Sequence, residues 1–155
     1  MSNNSSLFGN FNHRYNVTSV LDVDQTKCKN FPALKTASSV ASLVDENDVV
    51  FTALPMPQHV KTVFEGEEGL LAGFSGGKVW IDHSTTDYEQ TVELNEEIVR
   101  KGGRMLEAPV TGGLEALKKG QMTVFLAGDK TILSIVIHPR PHETEQCDQS
   151  DQADT

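Results

Sequence analysis

The chain has little cysteine, few aromatic residues and a shortage of positive charge. Cys28 and Cys147 are the only two cysteines in 155 residues, and they share no metal-ligand spacing. A disulfide-stapled scaffold and a thiolate zinc site are therefore not expected, and a reduced, intracellular setting is. Lys and Arg number 13 against 22 Asp and Glu, a net charge of −9. A chain this acidic lacks the basic patches that nucleic acid and anionic membranes require, so neither is expected as a partner. No apolar run approaches the ~20 residues needed to span a bilayer. Residues 1–21 hold one arginine, Arg14, and no acid, which makes a poor mitochondrial transit peptide and favours the cytoplasm. Asn16-Val17-Thr18 fits a glycosylation sequon and is expected to be a chance match. The glycines, 12 in all, nowhere form G-x-G-x-x-G. That loop cradles a pyrophosphate, so its absence weighs on any dinucleotide reading.

What is present is alternation. Residues 1–15 are Asn/Ser-rich and without period, and a disordered arm is expected there. Residues 16–137 are expected to form one α/β domain, and 138–155 a disordered acidic tail. Asn16–Leu21 reads as a short strand, and Gln25–Phe31 as a short helix stopped by Pro32. Val40, Leu43 and Val44 give Thr36–Glu46 a helix face. Asp48–Leu54 is almost continuously apolar, as in a buried parallel strand. Pro57 suits the first turn of a helix whose face is Val60, Val63 and Phe64. Glu65–Gly77 reads as a glycine-rich connection. Val79-Trp80-Ile81 is the next strand, and Thr86 with Glu89 fits a capping box. The helix that follows carries Leu94 and Ile98 and stops at Gly102-Gly103. Arg104–Ala108 and Met122–Ala127 read as further strands. Strands alternating with helices predict a parallel sheet with helices packed on it.

The chemistry-bearing residues fall at strand ends, where ligands of such sheets lie. Asp22 ends the first recognisable strand; in a Rossmann fold an acid at the end of the second strand bonds the ribose 2′-OH of NAD and repels the 2′-phosphate of NADP. Asp24 reads as a solvated turn carboxylate. Leu54-Pro55 ends the second buried strand, with His59 nearby on a helix. Ile81-Asp82-His83-Ser84-Thr85 ends the third. Leu106-Glu107-Ala108-Pro109-Val110-Thr111-Gly112-Gly113 runs from a strand into a glycine pair and a short helix. Paired glycines let backbone approach a ligand closely, and amides there can bind a carboxylate. On local physics alone an ordinary strand-turn-helix corner fits that stretch equally well.

Three of these blocks resemble the β-hydroxyacid dehydrogenase family, which includes the 3-hydroxyisobutyrate dehydrogenase type. Glu107–Gly113 is similar to its Asp-Ala-Pro-Val-Ser-Gly-Gly, with Glu107 for Asp and Thr111 for Ser. Ile81–Thr85 is similar to Ile-Asp-x-Ser-Thr, and Asp48–Pro55 to its strand ending in Leu-Pro. The likeness covers roughly Asn16–Asp129. It implies a Rossmann-type, doubly wound parallel sheet of the 6-phosphogluconate dehydrogenase kind, built from strands near Val17, Val49, Val79, Met105 and Val124. It implies NAD as cofactor rather than NADP, held by Asp22, Leu54, Pro55, His59 and Thr85. A small hydroxy acid would be held by Thr111, Gly112 and Gly113.

The reaction the resemblance implies is oxidation of a 3-hydroxy acid, 3-hydroxyisobutyrate in valine catabolism, to its semialdehyde in the mitochondrial matrix. The family's base is a lysine on the helix that opens a second, all-helical domain. The chain departs from the pattern at both ends. Leu7-Phe8-Gly9-Asn10 stands where the first strand and glycine loop would be, and Thr131–His138 gives way to acidic sequence. An incomplete domain is therefore expected, without the first strand and the helical domain. It would be inactive alone and would self-associate through an exposed sheet edge. A non-catalytic interaction protein, a glyoxylate or succinic semialdehyde reductase and a phosphogluconate-type enzyme are the alternatives.

Overall fold

The computed structural model describes residues 16–133. The expected arm at 1–15 and tail at 138–155 lie outside the described residues. Two short parallel strands, β1 (Ser19–Val20) and β2 (Lys35–Thr36), are joined through α1 (Gln25–Cys28). Asp24 caps α1 by accepting the Thr26 amide at 3.1 Å and the Thr26 hydroxyl at 2.6 Å. The hydroxyl, then the amide, holds the Asp24 carboxyl below the usual carboxylate range. Asp24 is thus a helix cap rather than a bare turn carboxylate.

α2 (Val40–Asp45) starts in a capping box between Ser39 and Ser42. It is shorter than its sequence periodicity suggested because Lys35–Thr36 pairs as a strand. After β3 (Val49–Thr52), Pro57 opens α3 (Pro57–Glu65), and Val60 and Phe64 point into the core as expected. The glycine-rich connection contains a further turn, α4 (Leu70–Gly73). A Cβ on Gly73 would stand 2.2 Å from the Ala41 carbonyl oxygen, so only glycine lets α4 lie against α2 there.

β4 (Val79–Asp82) is buried along its whole length. The next helix, α5 (Tyr88–Arg100), is capped by Asp87, which accepts the Gln90 amide at 2.9 Å. The expected Thr86–Glu89 box is therefore not formed: the cap lies one residue later, and the Gln90 side chain donates to Pro57 O at 3.1 Å. A carboxylate caps better than a hydroxyl and favours the helix dipole, and Thr86 bonds the Thr91 hydroxyl at 2.7 Å instead. α5 ends as expected at Gly102, whose φ is +77°. The Gly103 amide donates to Ile98 O and the Gly102 amide to Val99 O, the paired bonds of a Schellman cap.

β5 (Arg104–Glu107) completes the parallel part of the sheet. The order β3-β4-β5-β8 places the last strand, β8 (Ala127–Gly128), antiparallel to β5. This corrects the expected wholly parallel sheet with a strand at Val124. Val124 belongs instead to a two-stranded ribbon of β6 (Val110–Thr111) and β7 (Thr123–Val124). The six-residue α6 (Gly113–Lys118) between them spans only ~9 Å. Gly120, at φ +65°, returns the chain beside the point where it left. A connection that short favours antiparallel pairing.

One face of the sheet meets the helices. Val50, Trp80 and Met105 pack there against Val44, Val60, Phe64, Leu70, Leu94 and Ile98. The opposite face gathers Val79, Ile81, Leu106, Ala108 and Ile132. Lys78 secures the amino edge of the sheet by donating to Val44 O, Asp45 O and Asn47 O at 2.8–3.0 Å. Among the described residues β1 and β3 share no ladder. They are bridged by Asn47, which accepts from the Thr18 hydroxyl and donates to Ser19 Oγ at 3.0 Å. No helix of the described residues is long and apolar enough to cross a membrane.

Candidate cofactor and substrate site

Parallel register sets the site. Thr52 lies beside Asp82, and Asp82 beside Glu107. The chain therefore leaves three adjacent strands at one level, and Leu54-Pro55, Ser84-Thr85 and Pro109–Gly113 follow at the carboxyl edge. Backbone bonds carry the alignment past the strands. His83 N donates to Thr52 O at 2.8 Å, and Ala108 N to Asp82 O at 2.7 Å.

A buried polar network sits under these ends. Asp82 Oδ1 accepts the Thr52 hydroxyl at 2.7 Å, the Ser84 hydroxyl at 2.6 Å and the Ser84 amide at 3.0 Å. Ser84 Oγ accepts the Leu54 amide at 2.9 Å, and Thr52 Oγ1 accepts the Trp80 indole N–H at 2.8 Å. Ser84 is buried between Asp82 and Leu54. Asp82 carried no assigned role in the sequence, although the Ile-Asp-x-Ser-Thr block contained it.

His83 is buried beside the network. Its Nδ1 donates to Ala108 O at 2.7 Å, and its ring stacks on Phe51 with centroids 5.9 Å apart. Burial lowers its pKa below the ordinary histidine value, outweighing the Ala108 bond and the Asp82 charge, which raise it.

Thr85 stands exposed just beyond the network, and Pro55 and His59 are exposed on the neighbouring loop and helix. Leu54 is half-buried and anchored through its amide. Thr111, Gly112 and Gly113 are exposed after β6. Gly112 has φ +133° and Gly113 φ +67°, so both backbones lie where side chains are disfavoured. Asp22 belongs to the β1–β2 pair rather than to the larger sheet. It accepts the Asp24 amide at 2.9 Å and pairs with Lys27 at 3.4 Å. Lys27 places a cation beside the acid, which the sequence reading did not consider. Among the described residues no cluster of three metal-ligating side chains exists.

The NAD-binding domain of 6-phosphogluconate dehydrogenase matches this chain over residues 5–137. The chain belongs to that family. The N-PAC protein of Xenopus tropicalis, a cytokine-like nuclear factor, is 37% identical to this NAD-binding domain over 92 residues. Those residues are 59% of this chain and 17% of that protein. The mitochondrial 3-hydroxyisobutyrate dehydrogenase of Mus musculus is 33% identical over 109 residues, 69% of this chain and 32% of the enzyme. The solved structure of Mycobacterium tuberculosis 3-hydroxyisobutyrate dehydrogenase with L-serine superposes with a TM-score of 0.70 at 25% identity. It covers 83% of this chain and 43% of that one. The chain thus spans less than half the length of each of these relatives.

The family match includes residues 5–15, where the sequence carries Gly9 but no G-x-G-x-x-G. Asp22 stands after β1, and the Leu54–Pro55 backbone and the exposed Thr85 lie at neighbouring strand ends.

Proposed function

We propose that the chain binds NAD at the carboxyl edge of its sheet together with a 3-hydroxy acid of the 3-hydroxyisobutyrate type. The observation that carries this reading is the common level of the three strand ends, fixed by the Thr52–Asp82–Glu107 register. Asp22 would accept from the adenosine ribose hydroxyls, and its charge favours NAD over NADP. Leu54, Pro55 and Thr85 would line the nicotinamide half, with His59 at its margin. The Thr111 hydroxyl and the backbone at Gly112 and Gly113 would hold the acid's carboxylate. When bound, NAD supplies the hydride acceptor. L-serine, named with the mycobacterial relative, is itself a 3-hydroxy acid, which supports this substrate class.

Calorimetric titration of the purified chain with NADH, with and without 3-hydroxyisobutyrate, tests the proposal. We expect binding that tightens when the hydroxy acid is present. Absence of NADH binding, or an affinity that the hydroxy acid leaves unchanged, would contradict it.

A second reading is a non-catalytic protein that interacts with another protein, favoured by the likeness to N-PAC, a protein named as a nuclear factor. Tyr88, Val92 and Val99 follow one face of α5 and are exposed, which suits contact with another protein. A substitution Val92→Glu that abolishes partner recovery while leaving NADH affinity intact would favour this role.

A further inference from the structure

Asp82 is 2% exposed, and among the described residues no cation pairs with it. A buried carboxylate is costly unless its oxygens are well bonded. Here one oxygen collects three donors, two of which are themselves acceptors. The result is a continuous path: Trp80 indole to Thr52, Thr52 to Asp82, and from Asp82 through Ser84 to the Leu54 amide. Its two arms end differently. The Thr52 arm ends in the core, where Trp80 is 1% exposed and stacks on Phe64 at 5.4 Å. The Ser84 arm ends at the carboxyl edge, holding the backbone of Leu54 and preceding Thr85.

We propose that Asp82 is a positioning residue for the dinucleotide site, acting through Ser84 on the Leu54–Pro55 backbone and on Thr85. This rests on the proposed binding of NAD at that edge. Asp82 touches no ligand, since it is enclosed. Its carboxylate fixes Ser84 in two ways, through the Ser84 amide and hydroxyl, so that the hydroxyl oxygen is aimed at Leu54. The β3 and β4 exits then move as one unit, and a ligand lying across both meets a preformed surface.

The two arms make the proposal separable from mere stability. Ser84→Ala cuts the arm to Leu54, and Thr52→Val cuts the arm to Trp80. Each removes one buried hydroxyl. Asp82→Asn keeps an accepting oxygen in place, and Asp82→Ala removes it. The full chain would be assayed for NADH affinity by fluorescence titration and for stability by its urea midpoint, followed by Trp80, its single tryptophan.

We expect Ser84→Ala and Asp82→Ala to weaken NADH binding roughly tenfold, the scale of one lost hydrogen bond to a buried group. Asp82→Asn should stay within about threefold, and Thr52→Val should keep wild-type affinity although its urea midpoint falls as far as that of Ser84→Ala. Should Asp82→Ala not fold, the Ser84→Ala and Thr52→Val pair carries the comparison. Equal affinity losses in that pair, or none in Ser84→Ala while the unmutated chain binds, would overturn the positioning role. Failure of the unmutated chain to bind NADH would overturn the dinucleotide reading, and this proposal with it. That outcome is distinct because no variant is needed to see it.

Discussion

His83 Nδ1 donates to the Ala108 carbonyl oxygen at 2.7 Å, a side-chain bond that ties the end of one central strand to the end of the next. Both residues sit at the carboxyl edge, one in the Ile-Asp-x-Ser-Thr block and one in the Ala-Pro-Val-Thr-Gly-Gly block. The bond therefore joins two of the three recognisable segments directly.

That histidine gives the fold a pH dependence of definite sign. Burial holds its folded pKa below the ordinary value of about 6.5. Above that value the ring is neutral in both states. As pH falls from there toward the folded pKa, the unfolded chain takes up the proton and the folded chain does not, so stability is lost. The urea midpoint should fall between pH 7.5 and 5.5. His83→Gln should be less stable at pH 7.5 and show a shallower fall. An unchanged slope in that variant would remove His83 as the cause.

The glycine pair should respond unequally to alanine. A Cβ on Gly112 would stand 2.7 Å from Ala116 Cβ, at φ +133°. A Cβ on Gly113 meets nothing within 4 Å, at φ +67°. Gly113→Ala therefore carries only the left-handed backbone cost, about 1–2 kcal/mol. Gly112→Ala adds a steric overlap to backbone strain of about 1–3 kcal/mol. Chemical denaturation of the two variants checks the order, and hydroxy-acid affinity should fall more in Gly112→Ala. Equal effects would mean that the backbone there relaxes freely.

Cofactor choice should depend on two residues. In the proposed site Asp22 would favour NAD by repelling a 2′-phosphate, and Lys27, 3.4 Å away, would offset part of that repulsion. Both side chains are partly solvated, so the effects are screened and modest. Titration with NADH and NADPH should show tighter NADH binding. Asp22→Asn should narrow the difference and Lys27→Met widen it. A preference for NADPH in the unmutated chain would remove Asp22 from the ribose position.

Much of this architecture was legible in the sequence. Val60 and Phe64, Leu94 and Ile98, and the Gly102-Gly103 stop follow from helical spacing and backbone freedom, which are local properties. The continuous apolar run at Val49–Thr52 marked a buried strand for the same reason. What escaped was set by contacts distant in sequence. Leu70–Gly73 became helical because Gly73 fits against Ala41. Val124 turned antiparallel to Val110 because α6 between them is too short for a crossover. At the site, the Asp82 network needs Thr52 and Leu54 from a strand about thirty residues earlier, and no local pattern announces that pairing. The role of Lys78 as a cap for carbonyls at Val44, Asp45 and Asn47 was hidden in the same way.

In the proposed function, ligands meet this chain at the carboxyl edge of its sheet. Backbone NMR of the 155-residue chain, titrated with NAD and then with 3-hydroxyisobutyrate, tests this residue by residue. NAD should shift the amides of Asp22, Leu54 and Thr85, and the hydroxy acid should then shift Thr111, Gly112 and Gly113. Shifts confined to the groove of about 170 Å³ between α3 and α5, lined by Lys61, Gln90 and Arg100, would contradict it. So would no shift at the strand ends at millimolar NAD.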